Sequence, residues 1–380
     1  MMKYKTWILF ILLLLSSKAI CQISVQTDNV LKTRLDSIVH QAASGFMETP
    51  FTRDLSIGIY SKGHPYPYNY HTGAGHLSTG NDYYGLGSVA KTFAGLMLAR
   101  AVVEGKLKLN DDIRKYLPGS YPNLEYKGHP IRIVDLSNHT SAMPAMSKEY
   151  SDQSMQRISK LSRKNLTAFF KEYTADSLFA DMHHFKLDTI PGTKYHYNGN
   201  AVMVLIGILQ RIYHQPYSKL ITRYLHQQYG MDHTKPFLTK TDEKKLLMGY
   251  DDTGKEAPLI VDEGFRAAPS MVSTLYDMLK YIGANLDQNN PVIKLSHQPT
   301  FTTSDGTKMG LNWMMGKEEN DVPFIMHTGR DGAGFTSLCY IYPGKQTGIV
   351  ILVNNGIGED KISTLKNEII TKLFRDKSNK

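Results

Sequence analysis

A serine and a lysine at helical spacing are the first candidates for chemistry in this 380-residue chain, in the segment Ser88-Val89-Ala90-Lys91. Residues three apart lie on one face of a helix, so the lysine amine can reach the serine hydroxyl. A serine hydroxyl becomes a good nucleophile when a base takes its proton, and a lysine can be that base where burial keeps it neutral. The spacing therefore predicts attack of Ser88 on a carbonyl carbon, with the helix N-terminus favouring the developing negative charge.

A second copy of this spacing, Ser363-Thr364-Leu365-Lys366, shows how specific the pattern is. A two-residue pattern arises about once by chance in a chain of this length. The copy falls in the middle of a C-terminal amphipathic helix, and we interpret it as part of a solvated helix face. Ser88 is therefore the preferred nucleophile.

The segment around Ser88 also fits two nucleotide-binding patterns loosely. Gly85 to Ala90 follows a dinucleotide fingerprint, and Gly85 to Thr92 differs from a P-loop at Ala90, where glycine is required. The Cβ of Ala90 would stand where the backbone must wrap a phosphate, and Asn81 to Tyr84 is not a buried parallel strand. A P-loop nucleotide-binding protein is a remote alternative, with Leu259 to Glu263 as its acidic strand.

No metal site and no cofactor are predicted. The chain has no H-E-x-x-H motif and no cysteine-rich zinc pattern, and His183 and His184 are adjacent rather than spaced for one helix face. We interpret both as ordinary surface histidines. Cys339 lies in a strand-like run, where a buried structural thiol is expected rather than a nucleophile.

The elements that must position Ser88 form an α+β pattern. Val89 to Val103 is apolar on nearly every side, which predicts a helix buried at the centre of a domain and ended by Gly105. Asp54 to Tyr60 and the segment to His71 predict a hairpin, and Glu359 to Phe374 predicts a terminal helix. Further helices are predicted at Leu166 to Thr174, Ala201 to Tyr213 and Ser273 to Asn285, and strands at Phe324 to Thr328, Ser337 to Tyr342 and Thr347 to Val353.

These elements predict one antiparallel sheet flanked by helices and built from both ends of the chain, with a mostly helical second lobe. We assign residues 22–380 to a single domain. Its α/β lobe covers about residues 30–105 and 260–376, and its helical lobe about residues 106–259. The cleft between the lobes is the expected ligand site.

The N-terminus has the features of a signal peptide over residues 1–21. Lys3 and Lys5 precede the apolar run Trp7 to Leu15, and Ala19-Ile20-Cys21 offers a cleavage site. We therefore expect an exported chain, periplasmic or secreted. A lipoprotein anchored to the membrane through Cys21 is the weaker alternative, because Lys18 stands where an aliphatic residue is preferred.

The composition excludes disorder and argues against nucleic-acid binding. Hydrophobic residues make up 41% and charged residues 21% of the chain, which indicates a sizeable core. Residues 1–21 hold three lysines and no acid, so cleavage lowers the formal charge from +9 to +6. The remaining basic residues are scattered, without an arginine-rich run. We expect a small-molecule or peptide substrate as partner.

Several segments in order resemble the serine β-lactamase and penicillin-binding protein superfamily, especially its class C-like β-lactamases, D-Ala-D-Ala carboxypeptidases and esterases. The matching segments are Gly87 to Phe93, His139-Thr140-Ser141-Ala142-Met143-Pro144, Pro191 to Tyr197, Met309 to Trp313, and His327-Thr328-Gly329. Together they span nearly the whole mature chain. The resemblance implies the transpeptidase-like fold, with the active site in the cleft.

The resemblance also implies roles for individual residues. Ser88 would be acylated, Lys91 would exchange its proton, and Tyr197 would be a second acid/base that serves the leaving group. His327, Thr328 and Gly329 would form the strand edge that lines the cleft. The backbone N–H groups of Ser88 and Arg330 would form the oxyanion hole, where each donor can contribute roughly 3–4 kcal/mol.

The second motif of the family, Tyr-x-Asn, is irregular here. Tyr197 is followed by Asn198-Gly199-Asn200, and the matching helix glycine, Gly207, also lies one place late. One extra residue after Tyr197 explains both, which makes Asn200 the functional amide. Asn198 stays an alternative, although Asn198-Gly199 also suits a tight turn before the helix.

Two other positions depart from the family. Ala142 replaces the usual glycine, and we interpret this replacement as a packing change. We interpret His139, in the same segment, as a structural residue. His327 stands where penicillin-type relatives often carry lysine. A neutral His327 would orient the hydroxyls of Ser88 and Tyr197, whereas a charged one would attract a carboxylate; burial favours the neutral role. Arg330 would supply a fixed charge or simply face solvent.

The predicted reaction is acyl transfer through a covalent intermediate on Ser88. D-amino-acid peptides, small esters and β-lactams all suit this machinery, and we rank peptidase or esterase activity above dedicated β-lactam resistance. The alternative from another class is a penicillin-recognising sensor that is acylated without turnover, or an inactive scaffold. Intact Ser88, Lys91 and Tyr197 argue against the scaffold but not against the sensor.

Overall fold

The computed structural model describes residues 25–73, 77–144, 175–257 and 271–375. The predicted signal peptide with Cys21, the helix candidate Leu166 to Thr174 and the segment Leu259 to Glu263 lie outside the described residues. None of the described helices is long and apolar enough to cross a membrane.

The helices of the described residues differ widely in length. They are α1 (Arg34–Phe46), α2 (Ala90–Val103), α3 (Ile133–Ser137), α4 (Ala175–Met182), α5 (Gly199–Tyr213), α6 (Tyr217–Tyr229), α7 (Leu275–Leu286), α8 (Pro291–Ser296) and α9 (Glu359–Phe374). Short 3₁₀ turns lie at Gly87–Val89, Ile113–Tyr116, Asp242–Lys245 and Pro343–Lys345.

The strands belong to one large sheet and two small ribbons. They are β1 (Val25–Gln26), β2 (Asp54–Ser61), β3 (His64–Thr72), β4 (Tyr84–Gly85), β5 (Glu125–Tyr126), β6 (His129–Pro130), β7 (Val272–Ser273), β8 (Phe301–Thr302), β9 (Lys308–Met309), β10 (Met314–Lys317), β11 (Pro323–Arg330), β12 (Thr336–Tyr342) and β13 (Thr347–Val353). The ribbons pair β4 with β7 and β5 with β6.

The main sheet joins the two ends of the chain. Its nine strands run in the order β1-β3-β2-β13-β12-β11-β10-β9-β8, and every neighbouring pair is antiparallel. The N-terminal hairpin meets the C-terminal strands where β2 pairs with β13, from Ser61 opposite Thr347 to Leu55 opposite Val353. The predicted α+β architecture, with one antiparallel sheet flanked by helices, is confirmed.

Two hydrophobic cores cover the two faces of this sheet. The alternation of side chains along a strand sends Leu338 and Tyr340 towards α1 and α9, and Cys339 and Ile341 towards α2 and α7. The core on the α2 side continues into α5 and α6. Cys339 is fully buried, as predicted, and burial raises the pKa of its thiol to about 12.

Helix α2 is the central element, as its all-round apolar sequence predicts. Every residue from Ala90 to Ala99 is buried. A Cβ added to Gly95 would lie only 1.9 Å from the backbone oxygen of Leu311, so this position admits no side chain. After the helix ends, Gly105 takes the left-handed conformation, at φ +71°. This tight packing fixes the start of α2, where Ser88 and Lys91 lie.

The interpretation of Ser363 and Lys366 as a solvated helix face is wrong for the lysine. Lys366 is only 2% exposed, because it lies on the face of α9 that packs against the sheet. Its Nζ donates to Glu318 Oε1 at 2.7 Å and lies 4.3 Å from the centre of the Tyr340 ring. Lys366 is a structural ion-pair partner, and among the described residues only Glu318 bonds its amine.

Candidate active site

The Ser88–Lys91 pair occurs in the structure as a direct hydrogen bond. Ser88 lies in the 3₁₀ turn that leads into α2, and Lys91 lies in the first turn of that helix. Lys91 Nζ donates to Ser88 Oγ at 2.8 Å. Burial lowers the pKa of Lys91 to about 8, while the negative charge of Glu359 opposes this shift. An appreciable fraction of the amine is therefore neutral near pH 7 and able to take the serine proton.

Two glycines allow the serine turn to touch the edge of β11. Gly87 has a φ of +49°, and a Cβ there would lie 2.7 Å from the backbone nitrogen of Arg330. A Cβ on Gly329 would lie 2.8 Å from the backbone nitrogen of Ser88. Only glycine permits this approach, which brings the two amides of the predicted oxyanion hole to the same place. The side chain of Arg330 is exposed.

Tyr197 lies over the serine–lysine pair. The Ser88 side chain acts on the Tyr197 hydroxyl and opposes the rise of its pKa, and Lys91 Nζ is 5.1 Å from the centre of the Tyr197 ring. Tyr197 is 40% exposed. Burial raises the pKa of Tyr197 to about 12. The phenol is therefore protonated at neutral pH, and of the two groups Lys91 is the better base.

His327 is a buried, neutral member of the site. It lies on β11, is 3% exposed, and has its ring centre 6.4 Å from that of Tyr197. Its Nδ1 is 2.5 Å from the backbone oxygen of Thr328, and since a carbonyl only accepts, Nδ1 carries the hydrogen. Burial, helped by the charge of Lys91, lowers the pKa of His327 to about 4. Neutral imidazole is the state that the orienting role requires.

His139 supports Tyr197 from behind. It is 1% exposed, its ring centre is 4.5 Å from that of Tyr197, and its Nδ1 accepts from the backbone N–H of Asn198 at 3.2 Å. Burial lowers its pKa to about 3. His139 and Ala142 have φ of +62° and +57°, so Ala142 keeps a backbone conformation that glycine adopts more easily. These contacts fit the structural role expected for His139.

The two asparagines of the irregular motif have different surroundings. Asn198 is 1% exposed and caps α5, since its Oδ1 accepts from the backbone N–H of Ala201 at 3.1 Å. Its Nδ2 donates to the backbone oxygen of Met143 at 2.7 Å. Both ends of the Asn198 amide are thus engaged within the fold. Asn200 lies half-buried in the first turn of α5.

Glu359 is a residue of the site that sequence reasoning missed. It begins α9, and its Oε2 accepts a hydrogen bond from Thr328 Oγ1 at 2.5 Å. Its charge also acts on Lys91 and Tyr197. The only signal in the sequence was an acid at a helix N-terminus, which usually means stabilisation of the helix dipole.

An open cavity of about 570 Å³ lies beside Tyr195. Its lining includes Phe301, Asp305 and Met314, and the Tyr195 ring lies 6.0 Å from that of His139. The cavity lies beside β8 and β10.

The competing interpretations of these segments find little support. β4, which precedes Ser88, is a two-residue antiparallel strand rather than the buried parallel strand that a P-loop follows. His183 and His184 are exposed, and His183 stacks on Tyr121. In residues 25–73, 77–144, 175–257 and 271–375, no three His, Cys, Asp or Glu side chains converge as metal ligands would.

Comparison with known proteins agrees with this geometry. Residues 39–368 match the beta-lactamase family over most of the chain. The chain belongs to the beta-lactamase family. This places it among the serine β-lactamases and penicillin-binding proteins, as the ordered motifs indicated.

Within the beta-lactamase family, the chain is 24% identical over 295 residues to "Beta-lactamase" of Pseudomonas fluorescens, covering 74% of this chain and 75% of that protein. It is 26% identical over 304 residues to "Protein flp" of Staphylococcus aureus (strain COL), covering 77% of this chain. The match spans only 57% of that longer relative.

Solved structures in this family share the fold. The "Beta-Lactamase/D-Alanine Carboxypeptidase" of Pseudomonas syringae superposes with a TM-score of 0.73 at 19% identity, covering 89% of this chain and 99% of that one. "A class C beta-lactamase" gives a TM-score of 0.74 at 20% identity, covering 92% and 99%. At such identities the likeness establishes the fold alone.

Proposed function

We propose that this chain is a serine hydrolase that forms an acyl-enzyme on Ser88. The observation that carries the proposal is the 2.8 Å hydrogen bond from Lys91 Nζ to Ser88 Oγ, made by a lysine whose pKa is lowered to about 8. A hydroxyl paired with a partly neutral amine is an activated nucleophile.

The reaction follows from the positions of these groups. Neutral Lys91 takes the proton of Ser88 as its oxygen attacks the substrate carbonyl, and the N–H groups of Ser88 and Arg330 receive the developing oxyanion. Tyr197, protonated because its pKa is about 12, gives a proton to the leaving group as the carbonyl–leaving-group bond breaks. A water molecule then attacks the acyl carbonyl, passes its proton to the site and releases the acid with Ser88 restored.

We place D-amino-acid peptides and small esters ahead of β-lactams as substrates. The open cavity beside Tyr195 gives room for an extended substrate. The Pseudomonas syringae structure named above as a β-lactamase and D-alanine carboxypeptidase has the same fold, which supports a peptide substrate by analogy.

The nucleophile is tested with a fluorophosphonate probe that labels activated serines. We expect labelling of the wild-type chain, with the adduct on Ser88 by peptide mapping, and none of Ser88→Ala. The matched control is Ser363→Ala, which alters the other Ser-x-x-Lys segment and should label like the wild type. Labelling that persists in Ser88→Ala would show that Ser88 is not the nucleophile.

Turnover distinguishes an enzyme from a sensor. A D-Ala-D-Ala peptide, a p-nitrophenyl ester and a chromogenic cephalosporin are each mixed with the protein, and product is followed beyond one equivalent. Continued release supports a hydrolase and ranks its substrates. A stoichiometric burst without turnover on all three would instead make the chain an acylated sensor.

A further inference from the structure

One carboxylate at the candidate active site has no part in the acyl-transfer steps. Glu359 Oε2 accepts the hydrogen of Thr328 Oγ1 at 2.5 Å, at the point where β11 meets the start of α9. Its negative charge raises the pKa of both Lys91 and Tyr197. A group that affects both reacting side chains electrostatically also acts on the charge of a substrate held between them.

The hydrogen bond determines what Thr328 can offer to a ligand. A threonine hydroxyl has a single hydrogen to donate, and here Glu359 receives it. A substrate carboxylate placed at Thr328 would find no free donor there and would lie beside a second carboxylate. Two like charges at such a distance repel each other, whereas a cation would be attracted.

Glu359 interacts with the charge of Lys91 at longer range, but no Lys or Arg nitrogen in the described part of the chain lies within ion-pair distance of its carboxylate. Thr328 is the hydrogen-bond partner of the Glu359 side chain there. Asp360 follows it on α9 and adds a second negative charge, while the exposed Lys361 comes next. Arg330, exposed two residues after Thr328 on the same face of β11, is the cation that competes with this arrangement.

We propose that Glu359 makes the cleft selective for substrates with a cationic group close to the scissile bond, such as an ammonium-bearing ester or peptide, over substrates with a free carboxylate. The inference rests on the proposed function and narrows it: among D-amino-acid peptides and esters it favours those with a cation near the scissile bond over peptides whose free C-terminal carboxylate lies beside that bond. Glu359 acts as a specificity determinant through its charge and takes no proton in the reaction.

The test uses three hippuryl thioesters that differ in the charge of the leaving group. Thiocholine carries a permanent cation, 2-mercaptoethanol is neutral and thioglycolate is an anion, and released thiol is measured for all three. Phenylacetyl thioesters of 2-mercaptoethanol form a second set, with para-trimethylammonio, unsubstituted and para-carboxylate rings. This set places the same three charges on the acyl side.

In wild type we expect kcat/KM to fall in the order cation, neutral, anion in at least one set, with a cation-to-anion ratio of about tenfold or more. Glu359→Gln keeps an acceptor for Thr328 but removes the charge, and should bring the ratio within about threefold. Glu359→Lys should reverse the order. Asp360→Asn is the matched control, because it removes the neighbouring charge without touching Thr328, and should keep the wild-type order.

Binding separates this inference from the proposed function. Dissociation constants of the same thioesters are measured by calorimetry on Ser88→Ala, with and without Glu359→Gln, so that no turnover is needed. Absence of hydrolysis by the wild-type protein would refute the proposed function. Even then, tighter binding of the cationic thioester to Ser88→Ala, abolished by Glu359→Gln, would support the charge preference.

Four results would overturn the inference, and the first three leave charge recognition unassigned. Those three are ratios near one in both sets with wild-type protein, an order that survives Glu359→Gln, and no detectable binding of any thioester to Ser88→Ala. A preference for the anion would also overturn it and would assign charge recognition to Arg330. Thermal unfolding of each variant shows that a changed order does not come from a misfolded chain.

Discussion

Activity against a neutral ester should follow the deprotonation of Lys91. With a pKa of about 8, the neutral fraction of the amine is about 1% at pH 6, about 9% at pH 7 and about 50% at pH 8. We therefore expect kcat/KM to rise about ninefold from pH 6 to pH 7 and about fivefold from pH 7 to pH 8, and to level off above pH 9.

The Glu359 charge supplies a perturbation with a definite sign. It favours the protonated form of Lys91 and so raises the pKa of the lysine against the effect of burial. Glu359→Gln should lower the pKa of Lys91 and move the rising limb of the profile to lower pH. Lys91→Arg puts a permanently charged group in place of the base and should reduce kcat/KM by about 10²-fold to 10⁴-fold.

The assay is release of p-nitrophenol from a neutral ester between pH 5.5 and 9.5, corrected for spontaneous hydrolysis. If Tyr197 were the base, its pKa of about 12 would make the rate climb through pH 9.5 without a plateau. Such a climb, or a flat profile from pH 6 to 9, would refute the assignment of Lys91 as the base.

Two further predictions concern stability and the irregular motif. Burial lowers the pKa of His139 and His297 to about 3 and of His327 to about 4, below the unfolded value of about 6.5. The neutral histidines therefore contribute fully to the free energy of unfolding above pH 6.5, and this contribution shrinks as the pH falls towards 4. Urea titrations at several pH values measure the resulting decrease in the free energy of unfolding. His297→Gln should make that decrease smaller by up to about 1.4 kcal/mol per pH unit. Asn198→Ala removes a helix cap and should lower the free energy of unfolding by about 1 kcal/mol or more in the same titrations. Asn200→Ala should instead lower kcat/KM tenfold or more, about 1.4 kcal/mol of transition-state stabilisation. If Asn198→Ala mainly lowered kcat/KM and Asn200→Ala mainly destabilised the fold, Asn198 would be the functional amide and the assignment of one extra residue after Tyr197 would be wrong.

Much of the secondary structure could be predicted because the sequence patterns that specify it lie within single elements. The hairpin, the buried helix after Ser88, strand Thr347–Val353 and helix Glu359–Phe374 follow from apolar periodicity within a single element. Helix α1 was overlooked, although Thr33 and Asp36 form a capping box that the sequence shows. The short strands β8 and β9 have two residues each, too few for any period to appear.

The parts of the site that could be predicted from the sequence are those whose residues lie close together in the chain. Ser88 and Lys91 share one helical turn, so their hydrogen bond follows from spacing alone. The contact of Thr328 with Glu359 depends on which face of β11 meets the start of α9, and no sequence pattern specifies that. The burial of Lys366 depends likewise on how α9 is rotated against the sheet. Tertiary packing decides both.

The pairing of β2 with β13 also determines the stage of synthesis at which the chain can fold. Ser61 lies opposite Thr347, so the central seam of the sheet closes a loop of nearly 300 residues. Closing such a loop costs about 5 kcal/mol of chain entropy before the strands gain from their contact. Long-range pairing of this kind slows folding. A chain still being synthesised, with its last forty residues missing, contains the Ser88 segment but neither β13 nor α9, and so cannot yet close the central seam of the sheet.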